Sequence, residues 1–549
     1  MEVVVNQKED NYFEFKFPVI NKIPAKFALK DHIDQTEYLC NGELKSWNKE
    51  KISIFSPIFV CKDKDSMPEQ MVLGSCPSLD EEETLKILDA AVKAYNDGNG
   101  IWPLMRVEDR IKCVEKFIYL MGENKDEIVN LLMWEIAKSH KDSEKEFDRT
   151  IKYMIDTIDA LKTLDRNSSR FLIEDSIIAQ IRRSPLGIVL CMGPFNYPLN
   201  ETFTTLIPAL IMGNVVIFKP PKHGILLYRP LLKAFKEAFP PGVINTLYGR
   251  GRVVASALMS TGKISCLAFI GTSKAADSLQ KSHPMPHRLR MILGLEAKNP
   301  AIVLPDASIS LTVKECLLGA LSFNGQRCTA LKILFIHSKI VDIFLEELSN
   351  EIGKLKIGAP FDDDVFITPM PDESRIKYFI ELIEDAKLLG AKIVNKFGGS
   401  YNKTFFYPTI LYPVSNKSRI YNEEQFGPII PVVPFSNIEE PLKYITESNY
   451  GQQASIFGTD PDVIAKIIDI LVNQVCRVNL NSQCQRGPDI FPFTGRKDSA
   501  VGTLSVSDAL RSFSIRTLVA AKSNDLNKDL IRKIIKGNKS QFLSTDFIF

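Results

Sequence analysis

The pattern of hydrophobic and polar residues divides the chain into an irregular N-terminal part and a more regular remainder. Over residues 1–80 the pattern is irregular, with short strand-like pieces such as residues 52–60. Further along, apolar residues recur at intervals of three and four, the spacing of one face of a helix. The pattern predicts helices over residues 80–95, 105–120 and 123–153, then a strand or hairpin over residues 171–183.

From residue 187 onward, short apolar runs rich in β-branched residues alternate with helical stretches. The predicted strands are residues 187–193, 214–219, 243–249 and 266–271. This alternation is typical of βαβ units and predicts a parallel sheet. Ligands of such sheets bind at the carboxyl ends of the strands, and the four runs lead there into the loop sequences GPFNYP, KPPKHG, YGRGR and GTS.

After residue 289 the same rhythm starts again, which indicates a second α/β domain. Residues 301–304 and 330–336 are predicted strands, with a helix at residues 311–321 between them. Helix, strand and loop continue to about residue 479. The last 28 residues, 522–549, are rich in Lys, Asn and Asp and are predicted to be an appended tail.

Composition narrows the class of protein. The 549 residues are 45% hydrophobic and 24% charged, which is ordinary for a globular chain and excludes a disordered, collagen-like or coiled-coil protein. The net charge of +2 gives no reason to expect nucleic acid or a membrane surface as a partner. The ten cysteines are scattered without a CxxC pair, and no secretory signal or membrane-length apolar run is visible. A cytoplasmic protein with reduced thiols is the expectation.

Cys328 is the candidate nucleophile. It lies in the run SFNGQRCT (322–329), between a predicted helix and a predicted strand, where Asn-Gly favours a tight turn. The adjacent guanidinium of Arg327 favours the thiolate, which is the reactive form of cysteine. A buried structural cysteine is the alternative that these residues alone leave open.

Two loops at the predicted strand ends carry further candidates. Asn196 follows the first strand, where a side-chain amide can donate a hydrogen bond to an oxyanion, or where it forms a turn before Tyr-Pro. Gly271 and Thr272 follow another strand, where backbone N–H groups and a hydroxyl can hold a phosphate.

Together these residues resemble the aldehyde dehydrogenase family, from about residue 80 to residue 517. The motifs that carry the resemblance are GPFNYP, VVIFKPP, AFIGTS, FNGQRCTALK, NEEQFGP and PFTGRKDSA, in family order. FNYP, NGQRCTA and QRGPDIFPF resemble one branch, the NADP-dependent non-phosphorylating glyceraldehyde-3-phosphate dehydrogenases.

The resemblance implies an α/β fold with a parallel-sheet dinucleotide-binding domain, a second α/β catalytic domain and a β-arm for oligomerisation. The implied boundaries are residues 1–165 and 185–293 for the cofactor domain, 294–478 for the catalytic domain, 166–184 and 479–521 for the arm, and 522–549 for the tail. A homodimer or homotetramer is implied, and no metal.

The family's functional residues transfer by motif. Cys328 matches the nucleophile, and Asn196 with the Cys328 N–H matches the oxyanion hole. The positions that match cofactor contacts are Lys219, Lys222, Gly271, Thr272, Glu424 and Phe426. Lys222 stands where NAD-preferring relatives often have Glu, and its ammonium would attract the 2′-phosphate of NADP; a surface lysine is the alternative.

The branch's substrate-phosphate contacts match Arg149, Tyr197, Arg327 and Arg486. Arg149 rests on a short alignment, and a surface position is its alternative. Independently of the family, guanidinium groups around one cysteine suit a phosphate, because arginine forks bind phosphate oxygens bidentately.

The segment upstream of Cys328 departs from the family. Most members have Glu-Leu-Gly-Gly-Lys there, with the Glu as the base for thioester hydrolysis. Here Gly294 lies 34 residues before Cys328, the usual family separation, whereas Glu296 lies 32 residues before it. If this segment is a strand, residues two apart face the same side, so Glu296 is the expected substitute base. A different water-activating route and a structural Glu are the alternatives.

The resulting expectation is an enzyme that oxidises D-glyceraldehyde 3-phosphate to 3-phosphoglycerate with NADP, through a thioester on Cys328. Two alternatives remain open. Relatives that pass the thioester to coenzyme A also lack the Glu, and a catalytically silent protein on this scaffold would also tolerate its loss.

Overall fold

The computed structural model describes residues 12–29 and 31–546. Its larger elements are two mostly parallel sheets, each covered by helices. The first is the sheet predicted from residue 187 onward, with six strands in the spatial order Ile244–Thr246, Val215–Lys219, Ile188–Met192, Cys266–Ile270, Arg290–Gly294 and Ala500–Val501. All neighbours are parallel except the last pair. The four predicted strands are confirmed.

The order of this sheet creates a crevice. After Ile188–Met192, the next two strands in the chain, Val215–Lys219 and Ile244–Thr246, are added on one side of it. The following strand, Cys266–Ile270, pairs with its other side. Ligands of doubly wound sheets bind at such a switch point, beyond the carboxyl ends of the strands. The loops with Asn196 and Thr272 leave the sheet at this point.

The second sheet has seven strands and positions the candidate nucleophile. Their spatial order is Lys392–Ile393, Thr409–Tyr412, Ile429–Phe435, Leu331–His337, Asn299–Val303, Gln453–Phe457 and Arg477–Leu480. The central strands are almost fully buried. Cys328 comes shortly before Leu331–His337, so it lies at the amino end of a central strand.

The helix predicted over residues 123–153 is wrong in its continuity. The structure has two helices, Lys125–Ile136 and His140–Ser168. Ala137 between them adopts a left-handed backbone with φ of 51°, and the Ser139 side chain caps the second helix by accepting from Asp142 N. Helical spacing of apolar residues continues across this break, which is why the pattern did not show it.

The helices pack on the sheets and on one another. In chain order, the α-helices of the described residues are Glu81–Tyr95, Ile101–Leu104, Val107–Gly122, Lys125–Ile136, His140–Ser168, Asn200–Ile211, Arg229–Ala238, Gly251–Ser260, Ser273–Ser282, Ile309–Leu321, Val341–Gly353, Glu373–Leu388, Arg419–Asn422, Glu439–Glu447, Pro461–Leu471, Val506–Ser512 and Asp525–Lys536. Within the described ranges, none of them is both long and apolar enough to cross a membrane.

The N-terminal part is more regular than its pattern indicated. A three-stranded sheet joins Ile33–Asp34, Glu69–Pro77 and Lys51–Val60, and a hairpin joins Glu37–Cys40 with Glu43–Ser46. Two further small pairs are Tyr401–Asn402 with Phe405–Phe406 and Tyr450–Gly451 with Arg496–Lys497. Most of these strands are short, so local periodicity gives a weak signal, whereas the longer strand Lys51–Val60 matches the strand-like piece noted at residues 52–60.

Only parts of the range predicted as the arm, residues 166–184 and 479–521, form a separate three-stranded antiparallel sheet; Ala500–Val501 within that range belongs to the six-stranded sheet. The predicted hairpin is confirmed as Phe171–Glu174 and Ile177–Pro185, and Ser514–Lys522 pairs along the whole second strand. In the predicted tail, the described residues form helix Asp525–Lys536 and then return to the three-stranded sheet. There the Ser544 carbonyl accepts hydrogen bonds from Gln180 and Arg182.

Candidate active site

One large cavity lies between the carboxyl ends of the six-stranded sheet and the loop that carries Cys328. Its volume is about 1150 Å³, above the roughly 300–1,000 Å³ typical of sites for drug-sized ligands. Every residue singled out from the sequence lines it, namely Cys328, Asn196, Glu296, Lys219, Lys222, Gly271, Thr272, Glu424, Phe426, Arg149, Tyr197, Arg327 and Arg486. The fold therefore brings the whole predicted set together.

The loop before Cys328 is held in a tight turn. It follows helix Ile309–Leu321, and Asn324 within it has a left-handed φ of 56°. The Asn324 side chain donates to Thr368 O at 2.9 Å and accepts from Thr368 N at 3.0 Å. Asparagine tolerates this backbone conformation better than most residues, so the Asn-Gly pair fixes the turn as its sequence predicts.

The main chain of Cys328 is fixed by two donors. Its carbonyl accepts a hydrogen bond from Asn299 Nδ2 at 2.7 Å and one from Lys332 Nζ at 3.0 Å. Asn299 Oδ1 in turn accepts from Gln453 N at 3.1 Å. Asn299, the first residue of strand Asn299–Val303, thus connects the loop that carries Cys328 to the neighbouring strand Gln453–Phe457.

The thiol of Cys328 faces several charged groups. Burial raises its pKa, Lys332 is foremost among the groups that lower it, and Glu424 acts in the opposite direction. Arg327 lowers this pKa too, but by less than Lys332. The expected help from the adjacent guanidinium is therefore secondary. Lys332 is the one charged residue in the apolar run 330–336 (ALKILFI), and that was the signal that could have found it.

Asn196 reaches the same loop from the other domain. It is 5% exposed, and its Nδ2 donates to the Gln326 carbonyl at 2.7 Å. An amide nitrogen carries two hydrogens, so one is used for this bond and the second is available for an oxyanion at Cys328. Asn196, the predicted oxyanion donor, is thus bonded to the loop at a residue two positions before Cys328.

A buried ion pair supports Asn196. Lys138 Nζ donates to the Asn196 carbonyl at 2.8 Å, pairs with Glu146, and lies 3.6 Å from the centre of the Tyr197 ring. Burial lowers the pKa of Lys138. The other Glu146 oxygen accepts from the main-chain N–H groups of residues 199 and 200, each at 3.0 Å. Sequence reasoning missed this pair, which lies at the helix break that it also missed.

Glu296 lies on the cavity wall but is turned toward a helix N-terminus. Its two oxygens accept from Ser273 N at 3.1 and 2.9 Å. Strand Arg290–Gly294 ends before this position, so the argument that residues 294 and 296 face the same side of a strand is wrong. Its carboxylate occupies the backbone N–H of Ser273, next to the predicted phosphate loop, Gly271 and Thr272.

The other side of the cavity carries two predicted lysines. Lys219 ends strand Val215–Lys219, and its Nζ donates to the Pro220 carbonyl at 3.1 Å; burial lowers its pKa to about 8. Lys222 lines the cavity next to His223, whose Nε2 lies 3.7 Å from Asp372 Oδ2. This part of the cavity offers cations to an anionic ligand.

Glu424 links the cofactor side to the nucleophile. Its Oε1 accepts from Lys332 Nζ at 2.5 Å and from Ala297 N at 3.0 Å. Phe426, two residues on, has a left-handed φ of 46° and packs edge-on against Phe195 with 5.9 Å between ring centres. Both predicted residues therefore reach the cavity beside Cys328.

The predicted phosphate-binding arginines are not equally available. Arg149 forms a two-pronged ion pair with Asp489, Nε to Oδ2 at 2.8 Å and Nη2 to Oδ1 at 2.7 Å. Arg486 is buried, and its nitrogens bind Asp489, Glu201 and the Leu504 carbonyl. Burial lowers the pKa of Arg486 to about 10. Asp489 was missed, although it stands in the QRGPD sequence already noted.

Arg327 has more unused hydrogen-bonding capacity. Its Nη2 donates to the carbonyls of Leu318 and Gly319 at 3.2 and 2.8 Å, whereas its Nη1 makes no hydrogen bond among the described residues. Tyr197 stands on the same cavity wall, and burial raises the pKa of its phenol to about 12. Arg327 and Tyr197 are therefore the best placed to offer donors to an anion.

Comparison with known proteins gives relatives that span nearly the whole chain. It is 33% identical over 488 residues to the NADP-dependent glyceraldehyde-3-phosphate dehydrogenase of Streptococcus equinus, covering 88% of this chain and 97% of the relative. The enzyme of that name from Pisum sativum is 30% identical, with 88% and 95% covered. A crystal structure of the Bacillus halodurans enzyme of that name, complexed with NADP, has a TM-score of 0.81 and 32% identity, with 89% and 100% covered.

A family model also matches most of the chain. Residues 64–519 match the model of the aldehyde dehydrogenase family. That span contains both parallel sheets, most of the three-stranded arm sheet and every residue of the candidate site. This chain belongs to the aldehyde dehydrogenase family.

Proposed function

We propose that this protein oxidises D-glyceraldehyde 3-phosphate to 3-phosphoglycerate with NADP. One observation carries the proposal: one cavity is lined by Cys328, by Arg327 and by the lysines Lys219 and Lys222. The names of the relatives just described agree with this substrate and cofactor.

The cavity residues fit NADP. Lys219, Thr272 and Glu424 would hold the adenosine ribose, the pyrophosphate and the nicotinamide ribose. The N-terminus of helix Ser273–Ser282 is suited to an anion, and because Ser273 N now donates to Glu296, a pyrophosphate bound there would displace that carboxylate. Lys222 would attract the 2′-phosphate. When bound, NADP supplies the hydride acceptor of the reaction.

The chain's own residues organise the first chemical step. The Cys328 sulfur, as thiolate, attacks the aldehyde carbon and forms a thiohemiacetal. The second hydrogen of the Asn196 amide and the Cys328 N–H stabilise the oxyanion. Loss of hydride from that carbon leaves a thioester on Cys328.

Release of the product requires water and a base. We keep Glu296 as the proposed base, since it is a carboxylate on the wall of the cavity that contains Cys328. Its oxygens are engaged by Ser273, so action at the thioester requires that Glu296 exchange those hydrogen bonds. A structural Glu296 with coenzyme A as acceptor is the alternative that its contact with Ser273 favours.

The substrate phosphate would bind on the arginine side. Arg327 can offer its Nη1, which makes no hydrogen bond among the described residues, and Tyr197 can add its hydroxyl. Arg149 can contribute only the edge that Asp489 leaves open, since Nε and Nη2 are engaged. Arg486 supports this wall by pairing with Glu201 and Asp489.

Replacing Arg327 with leucine should raise the KM for glyceraldehyde 3-phosphate about 10–100-fold, because a charge-assisted contact contributes about 1.5–3 kcal/mol. The KM for unphosphorylated glyceraldehyde should change little. Arg486→Leu should instead lower the melting temperature, because it leaves the buried Glu201 carboxylate without its partner. Steady-state kinetics on both aldehydes and thermal melts check this. Equal losses on the two aldehydes for Arg327→Leu would remove Arg327 from the phosphate site.

Replacing Lys222 with glutamate should lower the preference for NADP over NAD by about tenfold or more. A carboxylate next to the 2′-phosphate puts like charges together, which costs several kcal/mol. Lys222→Gln, which removes the charge without reversing it, should give an intermediate preference. The ratio of kcat/KM for the two cofactors is the measurement, and an unchanged ratio in both variants contradicts the assignment.

The reaction itself is tested by product identification. The purified protein is assayed with phosphorylated and unphosphorylated aldehydes, under NADP and NAD, with and without coenzyme A. Formation of 3-phosphoglycerate under NADP without coenzyme A supports the proposal. An acyl-coenzyme A product supports the alternative acceptor, and no turnover while the Cys328 thiol still reacts with alkylating reagents supports a silent protein.

We also propose that the arm joins subunits into a homodimer or homotetramer. Its apolar side chains Leu172, Ile173 and Leu518 are 54%, 69% and 57% exposed, and a second copy would cover them. Light scattering after gel filtration measures the assembly.

The ten free thiols support a cytoplasmic location, since reducing compartments keep cysteines unpaired.

A further inference from the structure

Lys332 is a buried cation that the mechanism above does not use. It is 1% exposed and belongs to the central strand Leu331–His337, where its neighbours are apolar. Lysine is almost never fully buried without a partner. Its contacts therefore show what keeps it there.

The Lys332 ammonium binds two groups of the active site at once. It donates to the Cys328 carbonyl at 3.0 Å and to Glu424 Oε1 at 2.5 Å. The main chain of Lys332 is held as well, because its carbonyl accepts from Gln425 Nε2 at 2.9 Å. The segment that carries Glu424 and the loop that carries the nucleophile thus meet at one side chain.

The same ammonium balances the charges that face the thiol. The charged groups acting on Cys328 are Lys332, Glu424 and Arg327, and the Gln452 amide also faces it. Glu424 disfavours the thiolate and Lys332 favours it. Without Lys332, the Cys328 thiol would face the Glu424 carboxylate, and that carboxylate would lack the ammonium that pairs with it.

A second buried lysine offers a comparison. Lys298 lies nearby and is 2% exposed, but its Nζ donates to the Glu423 carbonyl at 2.7 Å and to Gln425 Oε1 at 2.6 Å. Both bonds hold the segment around Glu424, and neither reaches Cys328. The two lysines share burial and neighbourhood, and they differ in the contact with the nucleophile.

We propose that Lys332 is the positioning residue that couples the nucleophile to the cofactor side of the site: its ammonium fixes the Cys328 main chain and the Glu424 carboxylate together and keeps the thiol facing a cation. The proposal rests on Cys328 as the nucleophile of the proposed function. It does not depend on which aldehyde or which acyl acceptor is used.

The test measures the thiol directly, without substrate. The rate of alkylation of Cys328 by iodoacetamide is followed against pH in the full-length protein, by mass spectrometry of the peptide that contains it. Lys332→Met should move the midpoint upward by about one pH unit or more, the size of shift that a nearby opposite charge produces. Lys332→Arg should keep it close to wild type. Lys298→Met, the matched control, should leave it unchanged.

Glu424→Gln provides a variant with the opposite expected sign. It removes the carboxylate that raises the thiol pKa, so the midpoint should fall. This variant also keeps the proposal open to refutation if Lys332→Met does not fold. An unchanged midpoint in Lys332→Met, an equal upward shift in Lys298→Met, or no downward shift in Glu424→Gln overturns the proposal. Failure of glyceraldehyde 3-phosphate turnover would bear on the proposed function and leave these midpoints unaffected.

Discussion

Replacing Cys328 with alanine should abolish aldehyde oxidation, with a loss on the order of 10⁴-fold or more, the scale seen when an enzyme loses its covalent nucleophile. The thiol forms the bond to the aldehyde carbon, and no other cysteine lines this cavity among the described residues. NADP binding should be largely retained, because the residues proposed to hold the cofactor are Lys219, Thr272 and Glu424. The rate of NADPH formation measures turnover, and a titration with NADP measures cofactor binding separately.

Cys113→Ala is the matched control for the loss of a thiol. Cys113 is also half-buried, but it lies on helix Val107–Gly122 and outside the cavity. This variant should turn over at the wild-type rate. Substantial turnover by Cys328→Ala would contradict the assignment of the nucleophile, whatever the substrate proves to be.

The sequence predicted the elements that bring this site together because local pattern determines them. Short β-branched runs became the buried strands of the six-stranded sheet, and parallel strands place their following loops at one edge. Asn196 and Thr272 meet there for that reason. The Asn-Gly pair before Cys328 formed the expected turn, since its backbone conformation depends mainly on the residues themselves.

The contacts that tune the site were not predictable in the same way. Lys138 reaches Asn196 across 58 positions of sequence, and Arg149 meets Asp489 across 340. In neither pair does the sequence around one residue indicate which residue is its partner. Arg486 matched a phosphate contact by motif, yet its nitrogens are taken up by Glu201, Asp489 and a carbonyl, which only the folded arrangement reveals.

Glu296 shows how a wrong element boundary changes a chemical inference. The argument for it as a substitute base assumed a strand through residues 294–296, and the strand ends at Gly294. The carboxylate instead accepts from Ser273 N. Its presence on the cavity wall keeps it a candidate, so its role has to be separated from the first chemical step by kinetics.

If Glu296 is the base, Glu296→Gln should keep a pre-steady-state burst of NADPH and slow steady-state turnover by about 10²–10⁴-fold, the usual contribution of a general base. The base acts after hydride transfer, so the acyl-enzyme should accumulate and be visible as added mass on Cys328. Glu423→Gln is the control, since Glu423 also lines the cavity but pairs with Arg419. It should turn over normally.

A rescue makes the test sharper. Adding Gly294→Glu to the Glu296→Gln protein returns a carboxylate to the position that most of the family uses, and some turnover should recover. The position has room for a side chain, because a Cβ at Gly294 would lie 3.4 Å from the nearest Ile270 atom, an ordinary contact. If Glu296→Gln turns over at the wild-type rate, Glu296 is not the base. Deacylation then needs another acceptor or another base, and coenzyme A is the first acceptor to test.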